Sequence, residues 1–202
     1  KPFPLDGGNL GNADMILKGG NLYNAYGTIG VGSSSYTGST LITCDNSLLS
    51  YWPATSTNNN EIIVRILVDN ALPTTTVLTM DGDVGVGSGR FCDFNLNGKN
   101  QQLAGLTNIA RNLRAQRVIN PGTLAAATLT ISNNVDYEFS GQLGGTGGSL
   151  STGAGNNFSL VKRGSGTFYL SRASANTYTN NTTVNGGTLR IRIASFAGSS
   201  TV

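Results

Sequence analysis

The sequence predicts an all-β protein whose short strands coil into a parallel stack, a β-solenoid. Three observations support this fold class: β-rich runs recur along the chain, turns rich in Gly and Asn separate them, and only 11% of the 202 residues are charged. Because a solenoid stacks neighbouring turns about 4.8 Å apart, charged side chains of one sign would repel each other along the stack. A low charge content is therefore typical of this fold.

The predicted strands are short runs of β-branched, aromatic and aliphatic residues. In the last run, Leu189, Ile191 and Ile193 would face one side of the strand and the intervening arginines the other. Residues 106–117 carry the only helical pattern, which is too little to change the all-β prediction. The predicted strands lie at 13–17, 39–44, 47–52, 61–68, 74–80, 90–96, 127–132, 136–140, 158–161, 166–171, 181–184 and 187–193.

Partial self-similarity favours a solenoid over a sandwich of hairpins. The segment GSGTF at 164–168 resembles GSGRF at 87–91, and residues 39–46 align without gaps to 127–134. With roughly 20 to 25 residues per turn, the chain would make about eight to ten turns. We expect a single domain over 1–202, with imperfect repeats over roughly 1–106 and 107–202. Thr and Asn at outward or turn positions should stack on like residues in neighbouring turns.

The composition excludes several functions. The absence of His removes Ser-His-Asp and Cys-His hydrolases and most transition-metal sites, and no cofactor is expected. With 13 basic against 10 acidic residues, no nucleic-acid partner is expected. Arg111, Arg114 and Arg117 are interpreted as a solvated face of a strand or short helix. No apolar run reaches the ~20 residues that cross a bilayer, so no membrane insertion is expected.

Asp81 and Asp83 form a close pair of carboxylates, in the segment MDGDVGVG. Three interpretations are open: ordinary turn chemistry beside Gly, a weak calcium site, or the catalytic pair of a polysaccharide-cleaving enzyme. Turn chemistry is the simplest of these. Because so few acidic residues are present, we expect the protein not to be an enzyme.

Two further sets of side chains have open interpretations. Cys44 and Cys92 could form one disulfide, as exported proteins allow, or be two small buried apolar residues. Pairing requires the chain between them to bring their Cα atoms within about 7 Å. The second set consists of aromatic residues that could line a sugar-binding strip, fill the core or cap an end of the stack. These are Tyr23, Tyr26, Tyr36, Tyr51 and Trp52.

Residues 157–191 closely resemble the autotransporter-associated β-strand repeat, also called the passenger-associated transport repeat. That family runs approximately L-x-K-x-G-x-G-T-L-x-L-x-G-x-N-T-Y-T-G-x-T-T-V-N-G-G-T-L. Phe168, Arg172 and Asn180 depart from it, where Leu, Gly and Gly are usual. The matching positions are Leu160, Lys162, Gly164, Gly166, Thr167, Leu170, Asn176, Thr177, Tyr178, Thr179, Thr182, Thr183, Val184, Asn185, Gly186, Gly187, Thr188 and Leu189.

The resemblance implies a right-handed parallel β-helix in a secreted or bacterial cell-surface protein, with no catalytic residue in the repeat. We therefore expect a rigid, non-enzymatic spacer or fibre subunit. Neither end carries an evident capping helix, so the chain is expected to stack end to end on copies of itself or on neighbouring repeats of a longer passenger. The alternatives are an adhesive or carbohydrate-binding module with a surface glycan as partner and, third, a polysaccharide-cleaving enzyme.

Overall fold

A computed structural model describes residues 4–5, 15–18, 26–43, 61–82, 91–109, 116–145, 156–173 and 175–192. Within these ranges all regular elements are β-strands and there is no helix. The strands are β1 Pro4–Leu5, β2 Met15–Lys18, β3 Tyr26–Val31, β4 Thr40–Thr43, β5 Glu61–Ile66, β6 Val77–Asp81, β7 Phe91–Asn95, β8 Gln101–Leu103, β9 Gly105–Ile109, β10 Gln116–Ile119, β11 Ala127–Ser132, β12 Tyr137–Phe139, β13 Gln142–Leu143, β14 Phe158–Arg163, β15 Thr167–Leu170, β16 Thr182–Val184 and β17 Thr188–Ile191.

The strands form four sheets, and every paired strand is parallel to its neighbour. Sheet 1 has the order β1-β3-β5-β7-β10-β13, and sheet 2 has the order β2-β4-β6-β9. Sheet 3 is β16-β14-β11-β8 and sheet 4 is β12-β15-β17. Strands that follow one another in the chain lie in different sheets, so the chain visits the sheets in turn and comes back one strand further along each. This arrangement is consistent with a β-solenoid.

Sheet 4 continues the side of the molecule that sheet 2 begins. The two are joined by side chains at β9 and β12, where the backbone N–H of Ser140 donates to Oδ1 of Asn108 at 2.7 Å. The Nδ2 group of Asn108 donates in turn to the Ser140 hydroxyl at 2.9 Å. The amide of Asn108 thus links the two turns at the point where the backbone ladder of sheet 2 ends.

The core lies between the sheets and is built from alternate residues of each strand. In sheet 1 a continuous row of paired residues, Val64, Phe94, Val118 and Leu143, has no solvent exposure. In β11 buried and half-buried residues alternate along the whole strand, as the predicted period of two requires. Each fully buried Leu, Val or Phe contributes roughly 1.5–3 kcal/mol through removal of apolar surface from water.

The number of residues between paired positions varies along the stack. Arg117 and its partner Asp93 are 24 residues apart, whereas Thr43 and its partner Asp81 are 38 apart. The ladders remain in register despite this difference, so the extra residues are accommodated between strands. Several turns are therefore longer than the sequence analysis assumes.

Most predicted strands are present, with ends shifted by a few residues, and 127–132 coincides with β11. The helical pattern at 106–117 is wrong: residues 105–109 form β9 and 116–119 form β10. The reason is tertiary, because Leu106 pairs with Leu78 in a ladder and packs in the core. The alignment of 39–46 with 127–134 also fails structurally, since β4 and β11 belong to different sheets. The predicted strand 47–52 lies outside the described residues.

Candidate functional site

A tight corner between sheets 3 and 4 contains the most unusual charged group of the described chain. Lys162 lies in β14, where the positions paired with it are Ile131 on one side and Val184 on the other. It takes the place of an inward aliphatic residue and is fully buried. Its Nζ donates to the backbone oxygens of Arg163 at 2.5 Å, Gly164 at 3.1 Å and Gly186 at 3.2 Å. One ammonium group therefore ties two successive turns together.

Burial also changes the acid–base behaviour of this lysine. Loss of hydration lowers the pKa of the Lys162 ammonium from its ordinary value of 10.5, and the Asp136 carboxylate raises it in part. A buried ammonium without partners would be strongly unfavourable, because transfer of an ion out of water costs several kcal/mol. The three carbonyl oxygens offset that cost and hold the charge at the corner.

Glycines make the close approach of the backbones at this corner possible. Gly164 has φ of 77°, and a Cβ there would lie 2.2 Å from the carbonyl oxygen of Asn133. Gly187 has φ of 64°, and its Cβ would lie 2.4 Å from the oxygens of Gly164 and Gly166. Both positions require the left-handed conformation and leave no space for a side chain. We call residues 133–136, 164–166 and 185–187 the stacked corner.

Side-chain ladders of like residues run alongside the backbone ladders. Nδ2 of Asn180 donates to Oδ1 of Asn157 at 2.9 Å. In the preceding turn, Nδ2 of Asn120 donates to the backbone carbonyl oxygen of Asn157 at 2.6 Å. The hydroxyls of Thr40 and Thr76, also in successive turns, lie 2.9 Å apart. The predicted stacking of like residues is confirmed for Asn157 and Asn180. Thr40 and Thr76 also stack, but they are buried and do not lie at the outward positions that were predicted.

Other residues of the repeat motif pack beside this ladder. The rings of Tyr178 and Phe158 are stacked with centroids 5.3 Å apart, and the Tyr178 hydroxyl lies 2.6 Å from that of Thr182. Asn176 is 2% exposed and its Oδ1 accepts the backbone N–H of Leu143 at 2.9 Å. These motif residues therefore connect successive turns, and Tyr178 and Asn176 are buried.

A buried ion pair lies in sheet 1, between β7 and β10. Nε of Arg117 donates to Oδ1 of Asp93 at 2.6 Å and its NH2 group donates to Oδ2 at 2.5 Å, with both side chains at most 2% exposed. The interpretation of Arg117 as part of a solvated face is wrong, because Asp93 is its direct cross-strand partner. Arg111 and Arg114 lie outside the described residues. Sequence reasoning missed Asp93, whose only signal is a carboxylate within a β-rich run.

The predicted carboxylate pair is described at one position only. Asp81 is the last residue of β6, is 4% exposed and accepts a hydrogen bond from the Thr43 hydroxyl at 3.1 Å. The backbone of Asp81 pairs in the ladder with Thr43 and Ile109, so Asp81 ends a strand. The turn interpretation of residues 81–83 extends beyond the described residues and stays a prediction. Asp83 lies outside the described residues. Over the part of the chain that is described, no three His, Cys, Asp or Glu side chains are grouped so that they could hold a metal ion.

Of the two cysteines, only Cys92 lies in the described part of the chain. Cys92 is buried in β7, and its thiol donates to the carbonyl oxygen of Ile42 at 3.4 Å, across the core. Cys44 lies outside the described residues, so the disulfide stays a prediction.

The predicted aromatic strip is likewise described only in part. Tyr36 fills the core: it is 4% exposed, its hydroxyl contacts that of Thr40, and burial raises its pKa. Tyr26 is the first residue of β3. Tyr23, Tyr51 and Trp52 lie outside the described residues. Of the five side chains, only that of Tyr36 is described, and it lies in the core.

A groove that the sequence analysis did not identify lies on the outer side of sheet 4. Phe168 and Leu170 of β15 face the core, so the alternating residue Tyr169 faces outward. Tyr169 is paired with Glu138 on one side and Arg190 on the other. The groove has a volume of about 240 Å³ and is lined by Asp136, Tyr137, Glu138, Thr167, Tyr169 and Arg190.

The parallel ladders, the stacked corner and the Asn and Thr ladders together define a protein built from stacked β-strand repeats. Residues 160–191 match the family described as passenger-associated-transport-repeat. This confirms the resemblance found over 157–191, and the match includes Lys162 and two of the three segments of the stacked corner, with Gly164 and Gly187. A repeat of this family implies a secreted or surface-exposed passenger. No curated protein and no solved structure matches the chain. Within the described ranges there is no helix long and apolar enough to cross a membrane.

Proposed function

We propose that this chain is a non-enzymatic structural protein of the bacterial cell surface or extracellular space. It is a rigid right-handed parallel β-helix that stacks end to end, as a fibre or filament subunit or as a segment of a passenger. The observation that carries this proposal is the in-register parallel pairing that continues from turn to turn into the matched repeat. Right-handed winding is the expected hand, since parallel crossover connections are right-handed in about 98% of cases.

The exposed edge of the last described strands supports end-to-end stacking. Strands β16 and β17 pair with β14 and β15, and no described strand pairs with their other edge. Val184 continues an inward row but is 50% exposed, and Leu189 and Ile191 are only half-buried. A parallel edge presents N–H and C=O groups that the next turn can pair, whether that turn comes from the same chain or from another copy.

The proposed eight to ten turns follow from about 20 to 25 residues per turn, and the spacing of paired residues bears on that number. Since pairs in register lie as far apart as 38 residues, the longer turns lower the expected count.

The absence of enzymatic activity is supported by Asp81, whose carboxylate is 4% exposed and bound to Thr43. A catalytic pair must instead converge on an accessible substrate.

The proposal is tested by sedimentation velocity and negative-stain electron microscopy over a range of concentrations. We expect rods that lengthen by end-on contact as the concentration rises. Val184→Lys adds a charge to the exposed edge and should leave single rods. Val135→Lys is the matched control, because Val135 is 60% exposed but lies in a turn within the stack. Rods that stay monomeric at high concentration, or two variants that behave alike, would contradict end-to-end stacking.

A further inference from the structure

We infer that the groove on the outer side of β12, β15 and β17 is a binding site for one neutral sugar residue in its pyranose form. This role is additional to that of a spacer or fibre subunit, because the side chains of Glu138, Tyr169 and Arg190 lie on the outside of sheet 4 and not in the core. The inference follows from the order of three paired side chains, from the charges that line the groove and from its volume.

The three side chains form a row along the stack axis. Glu138, Tyr169 and Arg190 are direct cross-strand neighbours in β12, β15 and β17. The guanidinium carbon of Arg190 lies 4.7 Å from the centroid of the Tyr169 ring, over one of its faces. That contact holds the ring through a cation–π interaction, and the groove opens beside the ring. The C–H groups on one face of a pyranose ring carry partial positive charge and pack on the negative face of an aromatic ring.

Hydroxyl recognition requires both acceptors and donors at the rim of the aromatic surface. Glu138 is exposed and its carboxylate can accept bonds from two adjacent hydroxyls. Arg190 supplies N–H donors and is also exposed. Asp136 is held in place because its Oδ1 accepts the backbone N–H of Thr167 at 2.7 Å. Vicinal hydroxyls, which both donate and accept, match this mixed set.

The charges select against acidic sugars. Two carboxylates and one guanidinium line the groove, so its formal charge is negative and a uronate would be repelled. The volume of about 240 Å³ is smaller than the roughly 300–1,000 Å³ of pockets for drug-sized ligands. The groove is therefore sized for a single ring and not for an enclosed oligosaccharide. A neutral monosaccharide and the terminal residue of a longer neutral glycan present the same chemistry.

The test is a titration of the full chain by ¹⁵N-edited NMR with the methyl glycosides of glucose, galactose and mannose, and with glucuronate as the charged comparison. Binding through one exposed ring is weak, on the order of millimolar, so the sugars are carried to about 100 mM. We expect saturable shifts confined to β12, β15 and β17 for at least one neutral glycoside and weaker shifts for glucuronate. A neutral trisaccharide with that sugar at its end should bind within about threefold if only the terminal residue is contacted; binding of the trisaccharide alone would contradict the single-residue site.

Variants separate the site from the fold. Tyr169→Ala should weaken binding by about tenfold or more, whereas Tyr169→Phe keeps the ring and should bind within about twofold of the original. Glu138→Gln should weaken binding several-fold, which keeps the proposal testable if Tyr169→Ala does not fold. Arg163→Ala, at an exposed position in sheet 3, is the control and should change nothing. No saturable shift with any neutral glycoside, unchanged binding in Glu138→Gln, or tighter binding of glucuronate would overturn the proposal.

Discussion

Replacement of Lys162 by Met removes the ammonium group that joins two turns while keeping an apolar side chain of similar length. The three backbone oxygens of Arg163, Gly164 and Gly186 then lose this donor. Hydrogen bonds from charged groups contribute about 1.5–3 kcal/mol each, and a buried acceptor without a partner costs about 1–3 kcal/mol. Against this, Met avoids the desolvation of an ion, which is several kcal/mol.

The balance of these effects predicts that Lys162→Met lowers the free energy of unfolding by about 2–4 kcal/mol. Arg163→Met is the matched control, since the neighbouring side chain is exposed and its replacement should change stability by no more than about 0.5 kcal/mol. Urea unfolding followed by far-ultraviolet circular dichroism measures both, with the slope against denaturant compared between variants. Equal losses in the two variants would refute the role assigned to Lys162.

Three further predictions concern the corner and the buried ion pair. Gly187→Ala should destabilise the protein by at least the roughly 1–3 kcal/mol of a strained backbone. Gly186→Ala should cost less, because its Cβ would stay 3.3 Å from the nearest oxygen. Thermal unfolding of both variants checks this, and equal losses of stability would contradict it. Arg117→Met should cost about 3–5 kcal/mol by leaving the Asp93 carboxylate buried without its guanidinium, and adding Asp93→Leu should recover most of that loss in a double-mutant cycle. Finally, the pKa of Lys162 is lowered in the folded protein, so between the folded pKa and 10.5 the unfolded chain binds more protons than the folded one. The contribution of Lys162 to stability therefore rises with pH across that window. NMR titration of the lysine side-chain carbons should give a pKa below 10.5, and a value at or above 10.5 would contradict the expectation.

The fold was predictable from the sequence where apolar and polar residues alternate without interruption. Residues 127–132 are the clearest case, since their period of two coincides with β11 from end to end. The strand at 26–31 was missed because it contains two glycines, which are typical of turns. At one of them, Gly30, a Cβ would lie 3.1 Å from the side chain of Leu67. Close packing against Leu67, in a later segment, thus explains why a glycine occupies this strand position although glycine has a low preference for strands.

The sites were less predictable than the strands because they depend on register. Lys162 was identified by the family resemblance, but its contact with Gly186 joins positions 24 residues apart. Glu138 and Tyr169 are separated by 31 residues, and Tyr169 and Arg190 by only 21, so no fixed repeat length aligns this row. The contact between Asp93 and Arg117 likewise joins positions 24 residues apart and depends on register. A sequence specifies which residues alternate inward, but the length of each connection decides which outward side chains become neighbours.

The independence of the ladders from the length of the connections has a practical consequence. Parallel pairing resumes in register whether 24 or 38 residues separate the partners. Peptide added between strands would therefore lie outside the sheets and need not disturb the pairing of neighbouring strands. Epitopes, enzymes or affinity tags grafted at such junctions would be displayed at intervals set by the strand spacing. Grafted segments would then be separated along the stack by multiples of about 4.8 Å.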